Sequence, residues 1–163
     1  MSENQRRMAM ADNLVHRPVA DVMTPYLITC APWTPLAEAH ELMAKNRIRR
    51  LPVLDAKKLV GIITREDVLA SVSTKGSQRP SADELRERLA AVAVQAVMSK
   101  KPLTVYASDT IGRAAEIMLD NKIGAVPVLD ADDSVAGLVT ESDLFRAIVR
   151  KWRDDNLILS GAH

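Results

Sequence analysis

One cysteine, one phenylalanine, two tyrosines and two tryptophans are all that this 163-residue chain holds of those types. Cys30, being alone, cannot close an internal disulfide, which suits a reducing compartment and a cytoplasmic protein. Aromatics at 3% leave any core to aliphatic side chains. No apolar run approaches the roughly 20 residues of a membrane span, so no membrane partner is expected. The first residues, MSENQRRMAMADN, lack the apolar heart of a secretion signal. A formal net charge of +1 gives no global field for nucleic acid or an acidic membrane. His16, His40, His163 and Cys30 have no metal-ligand spacing. No nucleophile elbow, Walker loop or Gly-x-Gly-x-x-Gly occurs. Neither catalytic residues nor a metal site nor a required cofactor is expected.

What the chain does have is repetition. Residues 23–55 align without a gap on 98–130, with Met23/Met98, Thr29/Thr104, Ala39/Ala114, Glu41/Glu116, Met43/Met118, Asn46/Asn121, Ile48/Ile123 and the run Pro-Val-Leu-Asp identical. One extra residue in the second loop then aligns Gly61 with Gly137, Thr64 with Thr140 and Asp67 with Asp143. The fold is therefore built twice. LITC (27–30) and LTVY (103–106) read as short strands. Residues 35–46 and 110–121 carry helical apolar stripes, with Thr34 and Asp109 placed as N-caps. PVLD with KLVGIIT, and PVLD with SVAGLVT, read as strand pairs around polar turns. Their near-continuous apolar runs predict burial on both faces. A further helix starts at Arg65 and at Glu141. Each unit is β-α-β-β-α, an α+β fold of sandwich-like α/β layers. Two such units are expected to pack as an intramolecular pseudo-twofold pair, since one alone buries too little surface. The divisions are an N-terminal segment 1–17, unit 1 at 18–72, a connector with a helix at 73–93, unit 2 at 94–150 and a tail at 151–163. The tail has an apolar patch, Trp152 with Leu157, Ile158 and Leu159, suited to docking.

DVMTP and AVMSK, then LPVLD and VPVLD, then GIITREDV and GLVTESDL, occur in the same order twice. This pattern resembles tandem CBS domains, the Bateman module, over roughly residues 18–150. It is also similar to small bacterial stand-alone CBS-pair proteins of the acetoin-utilisation type. The resemblance implies a regulatory module binding AMP, ADP, ATP or S-adenosylmethionine as effector. It further implies a homodimer and a separate regulated protein.

Thr64 with Asp67, and Thr140 with Asp143, sit at strand-to-helix junctions. A capping box explains them without any ligand. By the resemblance, the Thr joins a phosphate and the Asp accepts a ribose diol. It groups Thr140 and Asp143 with Ile28, Ile48, Arg49 and Arg50 in a first cleft. Thr64 and Asp67 join Leu103, Ile123, Gly124 and Ala125 in a second. Plain core burial accounts equally for the isoleucines. Arg49 and Arg50 match positions that relatives use as a phosphate clamp, a task that suits the planar guanidinium fork. The second cleft lacks them, although Arg65 and Lys122 lie nearby in sequence. A ligand-free dimerisation module is the alternative reading. The Arg47–Arg50 run is too short and too poor in aromatics to favour nucleic acid.

Overall fold

The computed structural model describes residues 13–25, 27–72 and 81–160, with side chains up to 157. Most of the serine-rich loop expected after Ser71 lies outside these residues, as do the side chains of Ile158 and Leu159. Helix α1 (Leu36–Asn46) buries Leu36, Ala39 and Met43. Helix α4 (Ile111–Asn121) buries Ile111, Ala114 and Met118. These are the same three repeat positions, one face of a helix. Both helices end in the left-handed region without glycine, at Arg47 (φ 55°) and Lys122 (φ 53°). The Asn46 and Asn121 amides donate to the carbonyls of Leu42 and Ile117 at 2.8 and 2.9 Å. The repeated asparagine thus satisfies a carbonyl near each helix end.

The N-caps differ from expectation. Pro35 precedes α1 with no side-chain cap, and the buried Thr34 hydroxyl instead accepts from Ala31 N–H at 3.0 Å. Thr110, not Asp109, caps α4 by accepting from Arg113 N–H. Asp109 Oδ2 accepts from Tyr106 N–H at 2.7 Å. Each expected cap holds the turn before its helix instead of the helix itself.

Strand β1 (Arg50–Asp55) pairs antiparallel with β2 (Lys58–Thr64). Likewise β5 (Ala125–Leu129) pairs with β6 (Val135–Thr140). Leu51, Pro52 and Val53 are all buried, as are Ala125 to Val128, so these strands are covered on both faces. The β1–β2 turn holds both Ala56 and Lys57 at positive φ, while the longer β5–β6 turn needs only Asp133 there. Aspartate tolerates that conformation better than alanine, so the extra residue relaxes the turn. Of the short strands expected first in each unit, only β4 (Val105–Tyr106) forms, parallel to β5. Its counterpart is reduced to a parallel bridge between Cys30 and Val53. Burial, and then Glu38, push the Cys30 thiol up to about 11, which makes it a poor nucleophile.

Two compact units result, and their membership crosses the repeats. Residues 27–102 form one. There β3 (Ser99–Lys100) joins β2 opposite Gly61 and Ile62. Val94 is buried in that core, and its N–H donates to Thr34 O at 2.8 Å. The described residues before Tyr26 belong with those after Pro102. Val19 is buried in that core, and its N–H donates to Asp109 O at 2.7 Å. Thr24 bridges Leu138. Each unit thus takes in the segment that opens the other repeat.

The connector helix α3 (Ala82–Ala90) starts at a Ser81–Glu84 capping box and buries Leu89 in the same core as α1. Helix α2 (Arg65–Ser71) follows β2, and α5 (Glu141–Ser160) follows β6. The tail does not begin a new element, because α5 runs on through it. Among the described residues no helix is long and apolar enough to cross a membrane.

At Gly61 and Gly137 the segments around Met98 and Met23 pass close over the strands. A Cβ on Gly137 would lie 2.7 Å from Thr24 O and 2.8 Å from Met23 Sδ. On Gly61 it would meet Met98 Sδ, with Ser99 O at 3.0 Å. A thioether can swing away, but a backbone carbonyl in a bridge cannot. Gly137→Ala should therefore lose about 1–3 kcal/mol in urea unfolding, and Gly61→Ala less. Equal stabilities of both variants and wild type would refute this close approach.

Candidate functional site

At both strand-to-helix junctions a threonine and an aspartate form a closed hydrogen-bonded ring. Thr64 donates to Asp67 Oδ2 from its N–H at 2.8 Å and from its hydroxyl at 2.7 Å. Asp67 N–H returns a bond to Thr64 Oγ1 at 3.1 Å. Thr140 and Asp143 repeat the ring at 2.9, 2.6 and 3.4 Å. The capping-box reading is thus satisfied twice. The second carboxylate oxygen distinguishes the copies. Asp143 Oδ1 accepts from Arg146 at 2.7 Å, whereas Asp67 Oδ1 has no protein partner among the described residues. Ala70 stands at the position equivalent to Arg146. Asp143 is only 7% exposed and its arginine 72%, so a buried carboxylate is neutralised by a guanidinium that remains in water.

Each unit sets its own strand residues beside its own ring. Arg50 lies opposite Thr64 on β1 and β2, and Arg49 O accepts from Arg65 N–H at 2.9 Å. Ala125 lies opposite Thr140, and Gly124 O accepts from Glu141 N–H at 3.3 Å. Ile28, Ile48 and Ile123 are partly buried against the cores, while Leu103 is 47% exposed. Arg49 is exposed and Arg50 half-buried.

Two pockets within the units carry opposite charge logic. One, of about 290 Å³, lies along the first turns of α5 and contains Arg17, Asp21, Asp143, Arg146, Arg150 and Asp154. Its charges largely pair off, with Arg17 on Asp21 at 2.7 Å and Arg146 on Asp143. The other, of about 470 Å³, lies at the C-terminal end of α1 and has Arg47, Arg49 and Arg65 with no carboxylate in its lining. Arg50 does not line it. Reading the sequence placed none of Arg146, Arg47 and His40 in a ligand cleft. The signals were there: Arg146 is three residues after Asp143 on one helix, and His40 and Arg47 share a helical face. Among the described residues no group of three or more His, Cys, Asp or Glu could hold a metal ion.

A duplicated unit in which a helix leads into a β-hairpin and a closing helix, with a Thr-x-x-Asp ring at the start of each closing helix, is the arrangement of a tandem domain pair. The CBS domain model matches residues 19–74 and 94–150, and the chain belongs to that family as a tandem pair. It is similar to CBSX2 of Arabidopsis thaliana, solved in complex with AMP, at 30% identity and TM-score 0.67, covering 82% of this chain and 96% of that one. It is similar to the CBS domain pair of protein MJ0100, solved with 5′-methylthioadenosine and S-adenosyl-L-methionine, at 26% identity and TM-score 0.68, covering 83% and 98%. A Vibrio cholerae protein assigned provisionally to acetoin utilization (AcuB) matches at 28% identity and TM-score 0.69, covering 86% and 96%. The chain spans 46%, 27% and 50% of the length of three curated relatives it matches.

The ring around Asp143 also carries stability. Thr140→Val removes both the hydroxyl donor to a buried carboxylate and the acceptor for its N–H. It should cost about 1–3 kcal/mol in urea unfolding. Arg146→Ala, which removes an exposed partner, should cost about 1 kcal/mol or less. The reverse order would mean that Arg146, not Thr140, holds the carboxylate.

Proposed function

We propose that the chain is a non-catalytic sensor of adenosyl nucleotides that regulates a separate protein in the cytoplasm. The observation that carries this reading is the duplicated Thr–Asp ring, each copy beside strand residues of the kind that flank a base. A carboxylate held by a helix start can accept from a vicinal diol, and the neighbouring threonine and free amides suit a phosphate. Two relatives of this fold hold adenosyl compounds, which supports the same class here. The candidate ligand contacts in this reading are Thr64 and Asp67 with Ile28, Ile48, Arg49 and Arg50 in the Leu27–Pro102 unit, and Thr140 and Asp143 with Leu103, Ile123, Gly124 and Ala125 in the other. Only the first of these strand sets has arginines, so only it gains much from phosphate.

One observation favours a ligand-free structural module instead: both rings are already closed by protein groups. Thermal unfolding with AMP, ADP, ATP and S-adenosylmethionine separates the two readings. A ligand at a hundredfold excess over its Kd should add about 2.7 kcal/mol of stability. Asp143→Ala should weaken binding roughly tenfold to a hundredfold. No shift with any of the four at millimolar concentration would favour the ligand-free module.

A homodimer is part of the proposal. Phe145, Ile148, Val149 and Trp152 are 68, 54, 45 and 65% exposed along α5, one apolar stripe at helical spacing. Sedimentation at micromolar concentration should give twice the chain mass, and Trp152→Asp should lower it. A monomeric wild type would remove this part of the reading.

A further inference from the structure

The two Thr–Asp rings are built alike, but each meets a different residue one helical turn on. That residue bears on the one carboxylate oxygen that the fold leaves open. In both rings Oδ2 takes the two threonine donors, at 2.8 and 2.7 Å for Asp67 and at 2.9 and 2.6 Å for Asp143. Oδ1 of Asp67 meets no protein donor among the described residues. Oδ1 of Asp143 accepts from Arg146 Nη1 at 2.7 Å. Burial differs in step. Asp143 is buried under its arginine, whereas Asp67, with the exposed Ala70 in that place, is half-buried.

Neutralising a buried carboxylate is an ordinary role for an arginine. Yet the first ring closes at the same distances without one, so the cap does not require it. Nor is Arg146 fixed by other bonds. Its side chain is 72% exposed, and its guanidinium has no second hydrogen bond among the described residues. It also has an alternative partner. Asp21 lines the same pocket, and Arg17 donates only to its Oδ2, which leaves Oδ1 without a hydrogen bond among the described residues. A single contact at the protein surface therefore holds the arginine on Asp143.

We propose that Arg146 is a latch that sets the affinity of Asp143 for a vicinal diol. The inference rests on the adenosyl reading given above, in which the aspartates accept from a ribose. A carboxylate oxygen that receives a guanidinium N–H has its charge offset and its approach blocked. A ribose hydroxyl that reaches Asp143 Oδ1 must displace the arginine, while at Asp67 it displaces nothing. The Leu27–Pro102 unit thus carries an open ring and the other unit a latched one, so the two fill at different ligand concentrations. This difference lies at the diol and is separate from what Arg49 and Arg50 add at a phosphate. Arg146 and Ala70 are its determinants.

Calorimetry of the full chain with AMP and 2′-deoxy-AMP tests the latch. Both ligands carry the same phosphate, so the ratio of their dissociation constants reports the diol, and the loss of a cation cancels. Arg146→Ala is measured together with Asp67→Ala, which leaves the Asp143 ring as diol acceptor. Ala70→Arg is measured together with Asp143→Ala, which leaves the other ring. Circular dichroism confirms folding, and should a background unfold, Arg146→Ala and Ala70→Arg are measured in the otherwise intact chain. Arg146→Ala should raise the preference for AMP over 2′-deoxy-AMP roughly threefold to fivefold, the scale of an ion pair whose arginine is exposed. Ala70→Arg should lower the preference by a similar factor. AMP binding to the Asp67→Ala chain that emerges only once Arg146 is removed would also sustain the latch. An unchanged preference in Arg146→Ala, including equal weakening of both nucleotides, would overturn the latch and leave the adenosyl reading standing. No AMP binding to the wild type or to any variant would end the adenosyl reading and the latch together.

Discussion

A β-α-β-β-α repeat of this size buries too little apolar surface to be secure, and the arrangement of the chain follows from that constraint. Neither repeat completes its own core. The turn before each first helix offers a carbonyl, Thr34 O or Asp109 O, to a valine N–H from a leading segment, Val94 or Val19. Both valines are fully buried. A methionine from the same segment covers the glycine of β2 or β6, where a side chain would not fit. Gly61 and Gly137 thus leave room for a neighbouring segment to lie against the sheet, a role that a glycine inside a strand often marks.

The same closure sets the functional groups. Because β1 meets β2 with Arg50 opposite Thr64, the residues ahead of Leu-Pro-Val lie beside the strand-to-helix junction. There the Thr–Asp ring fixes both the threonine hydroxyl and one carboxylate oxygen. One oxygen is spent on the fold and the other is left for use. In the second unit Arg146 already occupies it, so the two rings are alike as caps and unlike in what meets their second carboxylate oxygen.

How much of this was legible follows from the range of each interaction. The helices over 36–46 and 111–121 and the two hairpins were legible because apolar periodicity is local and the repeat gave it twice. Cap positions slipped by one residue because Thr34-Pro35 and Asp109-Thr110 each offer a plausible capping residue, and the turn had first claim on one of them. The exchange of leading segments left no signal: β3 is two residues long, and Thr24 and Cys30 make single bridges, too short for any period. Asp67 and Asp143 were legible as a motif. Their difference was not, since it lies in which side chain, Arg146 or Ala70, stands one helical turn further on.

The repeat RIRRLPVLD against KIGAVPVLD shows what duplication leaves free to change. Positions that close a core or a cap are held: Asn46 and Asn121 on their carbonyls, Met43 and Met118 in the cores. Positions that touch neither have diverged in charge. Arg49 is exposed and takes part in the fold through its carbonyl, which glycine supplies as well at position 124. Arg47 holds a left-handed cap through its backbone, and Lys122 holds the same cap. A side chain that the backbone geometry does not require, set into a pocket with others of its sign, raises the energy of the unliganded protein by mutual repulsion. The second unit builds the same helix end and strand start with Lys122, Gly124 and Glu141 at these positions, so the fold itself does not require the cluster.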